Sequence, residues 1–155
     1  MTYEETLHYL YTSIPVFQHS GASAYKPGLG TSIALDDYLG NPHKAYKTIH
    51  VAGTNGKGSV SHLLAAILRQ SGFKVGLYTS PHLVDFRERI RVNGKKISQD
   101  YVVDFVERHR SFFEPLHPSF FELTSSMAFE YFRDQQVDYA VIEVGLGGRL
   151  DSKIT

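Results

Sequence analysis

Three glycines, a lysine and a hydroxyl fall within seven consecutive residues, Gly53-Thr54-Asn55-Gly56-Lys57-Gly58-Ser59. These groups are suited to holding a phosphate. Glycine lets successive backbone N–H groups turn inward around an anion. A helix beginning just beyond them adds the positive end of its dipole. Lys57 brings a full charge for the outer phosphates, and Ser59, in the first helical turn, could reach a Mg²⁺ ion. The spacing is not the common G-x-x-x-x-G-K-[ST], because Gly58 stands between the lysine and the hydroxyl. The dinucleotide pattern G-x-G-x-x-G also fails, since Val60 and Ser61 follow Gly58. A plain strand-to-helix turn with Lys57 as a solvated cap would need fewer of these residues.

A second cluster, Gly145, Gly147 and Gly148, follows the apolar run Val137–Val144, so six of the 13 glycines occupy two short windows. Glycine is used where backbone bends sharply or approaches something closely. The apolar run carries one carboxylate, Glu143, near its end. Such a group is expensive to bury unpaired. A bound cation, or a water on Mg²⁺, would compensate it; so would a structural ion pair with Arg149. Ligands of open α/β sheets gather outside the carboxyl ends of the strands, which would bring Glu143 and Ser59 to one edge.

The elements that must position these groups are strands over Thr48–Val51, Val75–Thr79 and Val137–Val144. Helices are predicted over 2–14, Ser32–Leu39, Ser59–Ser71, Ser98 to about Phe113, and Phe121–Asp134. Thr2 and Glu5 suit a capping box. In the helix after the first glycine window, Val60, Leu63, Leu64, Ile67 and Leu68 share an apolar face. Residues 15–32 and 80–97 read as loops, the second with a small hairpin at Asn93-Gly94. Strands alternating with helices predict an α/β fold, a P-loop mononucleotide-binding parallel sheet flanked by helices. Residues 1–47 would form an N-terminal helix and substrate-side loop. Residues 48–155 would be part of the phosphate-binding domain, incomplete because the chain stops soon after a glycine turn.

Composition narrows the classes. Sixteen basic and 16 acidic residues give no net charge with His neutral, against bulk attraction to nucleic acid or anionic lipid. Cysteine is absent, excluding thiolate metal sites and cysteine nucleophiles. No apolar stretch approaches the ~20 residues of a membrane helix, and the N-terminus lacks a signal-peptide pattern. A cytoplasmic protein is expected. The histidines show no metal-ligand spacing.

Four stretches resemble, in order, the folylpolyglutamate synthase/dihydrofolate synthase family, Mur-ligase-like ATP-dependent amide ligases. They are HVAGTNGKGSV (50–60), GLYTSPHLVDFRERIRVNG (76–94), SFFELTSSMAFEYF (119–132) and VDYAVIEVGLGGRLDS (137–152). The resemblance implies that ATP converts a dihydropteroate or folate carboxylate to an acyl phosphate, which the amine of L-glutamate then displaces. ATP and Mg²⁺ are the implied cofactors, with small-molecule substrates and no nucleic acid or membrane partner. The full-length protein is expected to be a monomer.

On the same resemblance, Thr54, Asn55, Gly56, Lys57, Gly58 and Ser59 match the phosphate-binding run. Ser59, Ser80 and Glu143 match metal contacts, and Lys57 and Glu143 are the catalytic candidates. Ser119, Phe120, Phe121 and Glu122 match a segment contacting the pterin-bearing substrate, as do Leu150, Asp151 and Ser152, and more loosely Gly28 and Leu29. Without the resemblance, Phe120 and Phe121 read as core and Ser80 as a turn residue. His82, Arg87, Glu88, Arg89 and Arg91 read either as a solvated charged loop or as cations that help hold substrate carboxylates. Lys153-Ile154 departs from the family's continuation after Asp151-Ser152. The family's metal-binding histidine, modified lysine and C-terminal domain are not found here, so the chain alone is expected to be inactive or nearly so. A Mur-type peptidoglycan ligase and a non-catalytic nucleotide-binding module are the alternatives.

Overall fold

The computed structural model describes residues 1–14, 30–52, 56–82 and 84–143. Among them are strands β1 (Lys47–Val51), β2 (Val75–Tyr78), β3 (Ile90–Val92), β4 (Lys95–Lys96) and β5 (Tyr139–Glu143). They form one sheet in the order β1-β5-β2-β3-β4. β5 lies between β1 and β2 and runs parallel to both. β3 is antiparallel to β2 and to β4, so the sheet is mixed and not wholly parallel as expected. The chain doubles back twice: between β2 and β3 through the Phe86–Arg89 turn, and between β3 and β4 at Asn93-Gly94. Both residues have positive φ, 49° and 81°, as the tight two-residue hairpin requires. Asn93 also clips the turn to β2. Its Oδ1 accepts from the Val75 N–H at 2.9 Å, and its own N–H donates to the Val75 carbonyl at 2.8 Å.

The helices are α1 (Tyr3–Ser13), α2 (Gly30–Tyr38), α3 (Lys57–Gln70), α4 (Gln99–Phe113) and α5 (Phe120–Asp134). The Thr2/Glu5 capping box is present, Ser98 caps α4, and Ser119 with Glu122 caps α5. Gly30 and Thr31, expected in a loop, belong to α2.

Alternation along β2 and β5 feeds two cores. Leu77 and Val141 join Val51 and Val75 beneath Leu64, Ala65 and Leu68 of α3. Tyr78, Ala140 and Ile142 face a larger core shared with α1, α2, α4 and α5. The single apolar face expected of α3 is corrected: Leu64 and Leu68 pack, whereas Val60, Leu63 and Ile67 are exposed. Their stripe is rotated away from the strands that α3 covers.

α5 is buried nearly all round, including Thr124, Ser125 and Ser126. Burial of these hydroxyls is tolerated because they bond within the core. Thr124 Oγ1 donates to the Phe120 carbonyl at 2.9 Å and Ser125 Oγ to the Phe121 carbonyl at 2.8 Å. Close packing extends to Gly76 of β2, where a Cβ would meet the Phe132 ring at 2.6 Å.

α5 also buries a carboxylate. Glu130 accepts from Tyr101 Oη at 2.8 Å and from Arg108 Nη2 at 2.7 Å, and its Oε2 lies 2.9 Å from His109 Nε2. Burial alone would raise its pKa, but His109, Arg108 and Tyr101 outweigh that and bring it from 4.5 down to about 2. A carboxyl depressed on folding contributes stability above its unfolded pKa and loses that contribution as the pH falls through the folded one. Stability followed by circular dichroism should therefore decline as the pH is lowered from 4.5 towards 2. Glu130→Gln should flatten that decline and cost about 3 kcal/mol at neutral pH, because it removes the buried carboxylate that accepts from Arg108 and Tyr101.

Candidate phosphate and metal site

Register decides where the chemistry gathers. Val51, the last residue of β1, pairs with Glu143, the last residue of β5. On the other side, Tyr78 at the end of β2 pairs with Ile142. The end of β1 and the segment leaving β2 towards Ser80 therefore flank Glu143, at the carboxyl edge of the parallel strands.

Gly56 is the N-cap of α3 and has φ 74°, with no side-chain cap. That conformation suits glycine, since L side chains are strained there. The first-turn N–H groups of α3, Lys57 among them, are left without the capping side chain that α1, α4 and α5 possess, which is the form of an anion site. Gly58, the residue inserted relative to the common phosphate loop, runs past the Glu143 side chain. A Cβ at Gly58 would stand 3.6 Å from Glu143 Oε2. Ser59 is exposed and Ser80 half-buried.

Glu143 is 3% exposed. The Ser80 N–H donates to its Oε1 at 3.4 Å, a long bond. No cation among the described side chains lies within ion-pairing distance of it. Arg149, the ion-pair alternative, is outside the described residues, as are Gly28, Leu29, Thr54, Asn55, Leu150, Asp151 and Ser152. No group of three His, Asp or Glu among the described residues could hold a metal by itself. The donor set is one buried carboxylate with serine hydroxyls beside a phosphate-binding helix start. That set fits Mg²⁺, which commonly takes one or two carboxylates and completes its shell with phosphate oxygens and water.

The 119–122 segment divides into core and rim. Ser119 Oγ accepts from the Glu122 N–H at 3.1 Å, and Glu122 Oε1 accepts from the Ser119 N–H at 2.8 Å. Glu122 Oε2 accepts from Ser32 Oγ at 3.1 Å, so this buried acid is engaged on both oxygens. Phe120 is buried and stacked on Tyr11, with centroids 5.3 Å apart and planes at 20°. Phe121 is half-buried, edge-on to Tyr78.

The basic segment after Ser80 is not a solvated loop. Phe86–Arg89 form a 3-10 turn capped by Asp85, and Arg89 is buried. Arg89 Nε donates to His82 Nδ1 at 2.7 Å, and His82 Nε2 lies 3.1 Å from Tyr11 Oη. Burial, and then the Arg89 charge, lower the pKa of His82 and favour the neutral ring. Sequence spacing gave no sign of this cluster, because Tyr11 and His82 are 71 residues apart. Phe86 and Ile90, on either side of the Arg-Glu-Arg run, are the local signal that it turns inward.

A strand, a glycine-started helix and a buried acid on the adjacent parallel strand define an α/β phosphate-binding class. No family model matches the chain. It is 42% identical to the Bacillus subtilis dihydrofolate synthase/folylpolyglutamate synthase over 82% of this chain and 31% of that protein. The crystal structure of folylpolyglutamate synthase from Thermotoga maritima superposes with TM-score 0.85 at 48% identity, over 97% of this chain and 34% of that one. A folylpolyglutamate synthase complex with AMPPCP and folate superposes with TM-score 0.83 at 37% identity, over 98% and 37% of the respective chains. The chain belongs to the folylpolyglutamate synthase/dihydrofolate synthase family. It spans about a third, or less, of the length of the curated relatives it matches.

Because Glu143 is buried without a cation among the described side chains, neutralising it should relieve desolvation. Glu143→Gln is expected to leave the melting temperature of the metal-free protein unchanged or raise it. A large destabilisation in differential scanning calorimetry would mean that Glu143 is held by a structural ion pair instead.

Proposed function

We propose that this chain supplies the phosphate- and acceptor-binding part of an ATP-dependent ligase. That ligase adds L-glutamate to dihydropteroate or a reduced folate, as a monomer in the cytoplasm. The carrying observation is the Val51↔Glu143 register, with Gly58 against the Glu143 carboxylate. It sets the start of α3 beside an uncompensated acid, as a nucleotide with a divalent cation requires. Among the described residues, no helix is long and apolar enough to cross a membrane.

In this reading, Thr54, Asn55, Gly56, Lys57, Gly58 and Ser59 bind the ATP phosphates through backbone N–H groups and the lysine charge. Ser59, Ser80 and Glu143 would hold Mg²⁺. When bound, the ion supplies Lewis-acid polarisation of the γ-phosphate and a template for it. The acceptor carboxylate takes the γ-phosphoryl group and becomes an acyl phosphate, a far better electrophile than the free acid. The glutamate amine then expels phosphate. The chain's own contribution is alignment and neutralisation of charge that grows in the transition state. Gly28, Leu29, Ser119, Phe121 and Leu150–Ser152 would line the acceptor, with Phe121 as the aromatic surface for a flat ring. Phe120 and Glu122 would support that wall from behind.

Lys57→Ala in the full-length protein is expected to lower ADP formation by roughly 10²–10³-fold or more. The assay supplies ATP, Mg²⁺, L-glutamate and either dihydropteroate or a reduced folate. Turnover at the wild-type rate in that variant would refute the phosphate role. ADP release indifferent to both acceptors would refute the ligase reading.

A further inference from the structure

Arg89 is 6% exposed, and no acid among the described residues lies within ion-pairing distance of it. Its guanidinium lies 5.0 Å from the Phe120 ring centroid and 6.0 Å from that of Phe86. Nε is occupied by His82 Nδ1. Among the described residues nothing accepts a hydrogen bond from Nη1 or Nη2. The one side chain bonded to it is no counter-ion. Because Nδ1 accepts, the ring proton is on Nε2, directed at Tyr11 Oη, and His82 is neutral. The Tyr11 hydroxyl proton in turn has no acceptor among the described residues. Donors therefore converge here without an anion to receive them.

Arg89 is largely enclosed, yet its Nη atoms are not among the nitrogens sealed off without a partner, so they stay open to a ligand, and the partner that fits them is a planar anion. Its two free nitrogens present the parallel fork that matches a carboxylate. The position also fits. The Thr79 N–H donates to the Arg89 carbonyl at 3.0 Å. This anchors Arg89 to the residue before Ser80, whose own N–H faces Glu143. Phe120, under the guanidinium, is followed directly by the half-buried Phe121.

We propose that Arg89 binds the carboxylate of the acceptor substrate, and that His82, held by Tyr11, orients the guanidinium for it. The inference rests on the folate-type acceptor proposed above and assigns the residue that recognises its charged end. Surface arginines could not do this as well, because water screens them.

The test compares dihydropteroate with its primary carboxamide, the same molecule without the negative charge. Binding of both is measured by calorimetry to wild type, Arg89→Met and Arg89→Lys. Methionine keeps the apolar contact with Phe86 and Phe120. Lysine keeps the charge and loses the fork. The expected result is roughly tenfold or greater loss of acid affinity in Arg89→Met and a smaller loss in Arg89→Lys. Affinity for the carboxamide should be unchanged in both. His82→Asn should weaken the acid in the same selective way. Equal losses for acid and amide, or no loss for the acid, would overturn the carboxylate role, as would wild type binding both ligands equally. Wild type that bound neither ligand would instead overturn the folate reading on which the proposal rests. If Arg89→Met does not fold, Arg89→Lys decides: unchanged acid affinity overturns the proposal, and a selective loss supports it.

Discussion

A carboxylate at the end of a strand with parallel neighbours on both sides cannot easily turn away to solvent. Glu143 is in that position, buried at the end of β5 with β1 and β2 beside it. The surrounding arrangement answers this constraint. The helix that follows β1 begins without a side-chain cap and passes the carboxylate at a glycine. The segment that follows β2 turns a backbone N–H towards it. Neither supplies a full positive charge among the described side chains, so the electrostatic field at this edge is unbalanced. A divalent cation with a polyphosphate is a partner whose charge, size and oxygen ligands suit both the acid and the open helix start.

The two faces of the sheet serve different ends. One carries α3 alone among the described helices, with a small core and an exposed stripe at Val60, Leu63 and Ile67. The other carries the large core built around α5. That helix satisfies its buried hydroxyls locally and its buried acids through Ser32, Tyr101, Arg108 and His109. Satisfied groups of this kind hold a position without asking for a ligand. Glu130 and Glu122 are thus structural in their surroundings, whereas Glu143 and Arg89 are not. Among the described residues, each of the latter two is a buried charge with no opposite partner, and the two lie on segments joined through Thr79 and Ser80.

Much of this was legible in the chain. The capping box at Thr2, the helix start at Ser98 and the hairpin at Asn93-Gly94 are local features, and the structure has them within a residue or two of the expected positions, whereas the Ser119 cap appears only in the structure. The 119–122 segment was legible only in part. Two aromatics and a glutamate can read as a substrate wall, yet Glu122 closes a capping box and Phe120 stacks on Tyr11. The inward turn of Arg89 was not legible, since charged residues between Ser80 and Asn93 look solvated until Phe86 and Ile90 are packed. The mixed sheet was missed for a related reason: the hairpin itself is local, but its antiparallel pairing with β2 depends on how the chain doubles back between them.

By itself, the sequence determined the glycine-rich passage from a strand into a helix, the order of strands and helices, and the acid at the end of the last strand. These follow from residue type and spacing within a dozen positions, where backbone conformation and helix periodicity act. Only the tertiary structure decided that Val51 stands opposite Glu143, that Gly58 makes room beside its carboxylate, and that His82 joins Tyr11 to Arg89. Those relations depend on register and packing between segments tens of residues apart. Which buried charge finds a partner inside the fold, and which must find one outside it, is settled at that level.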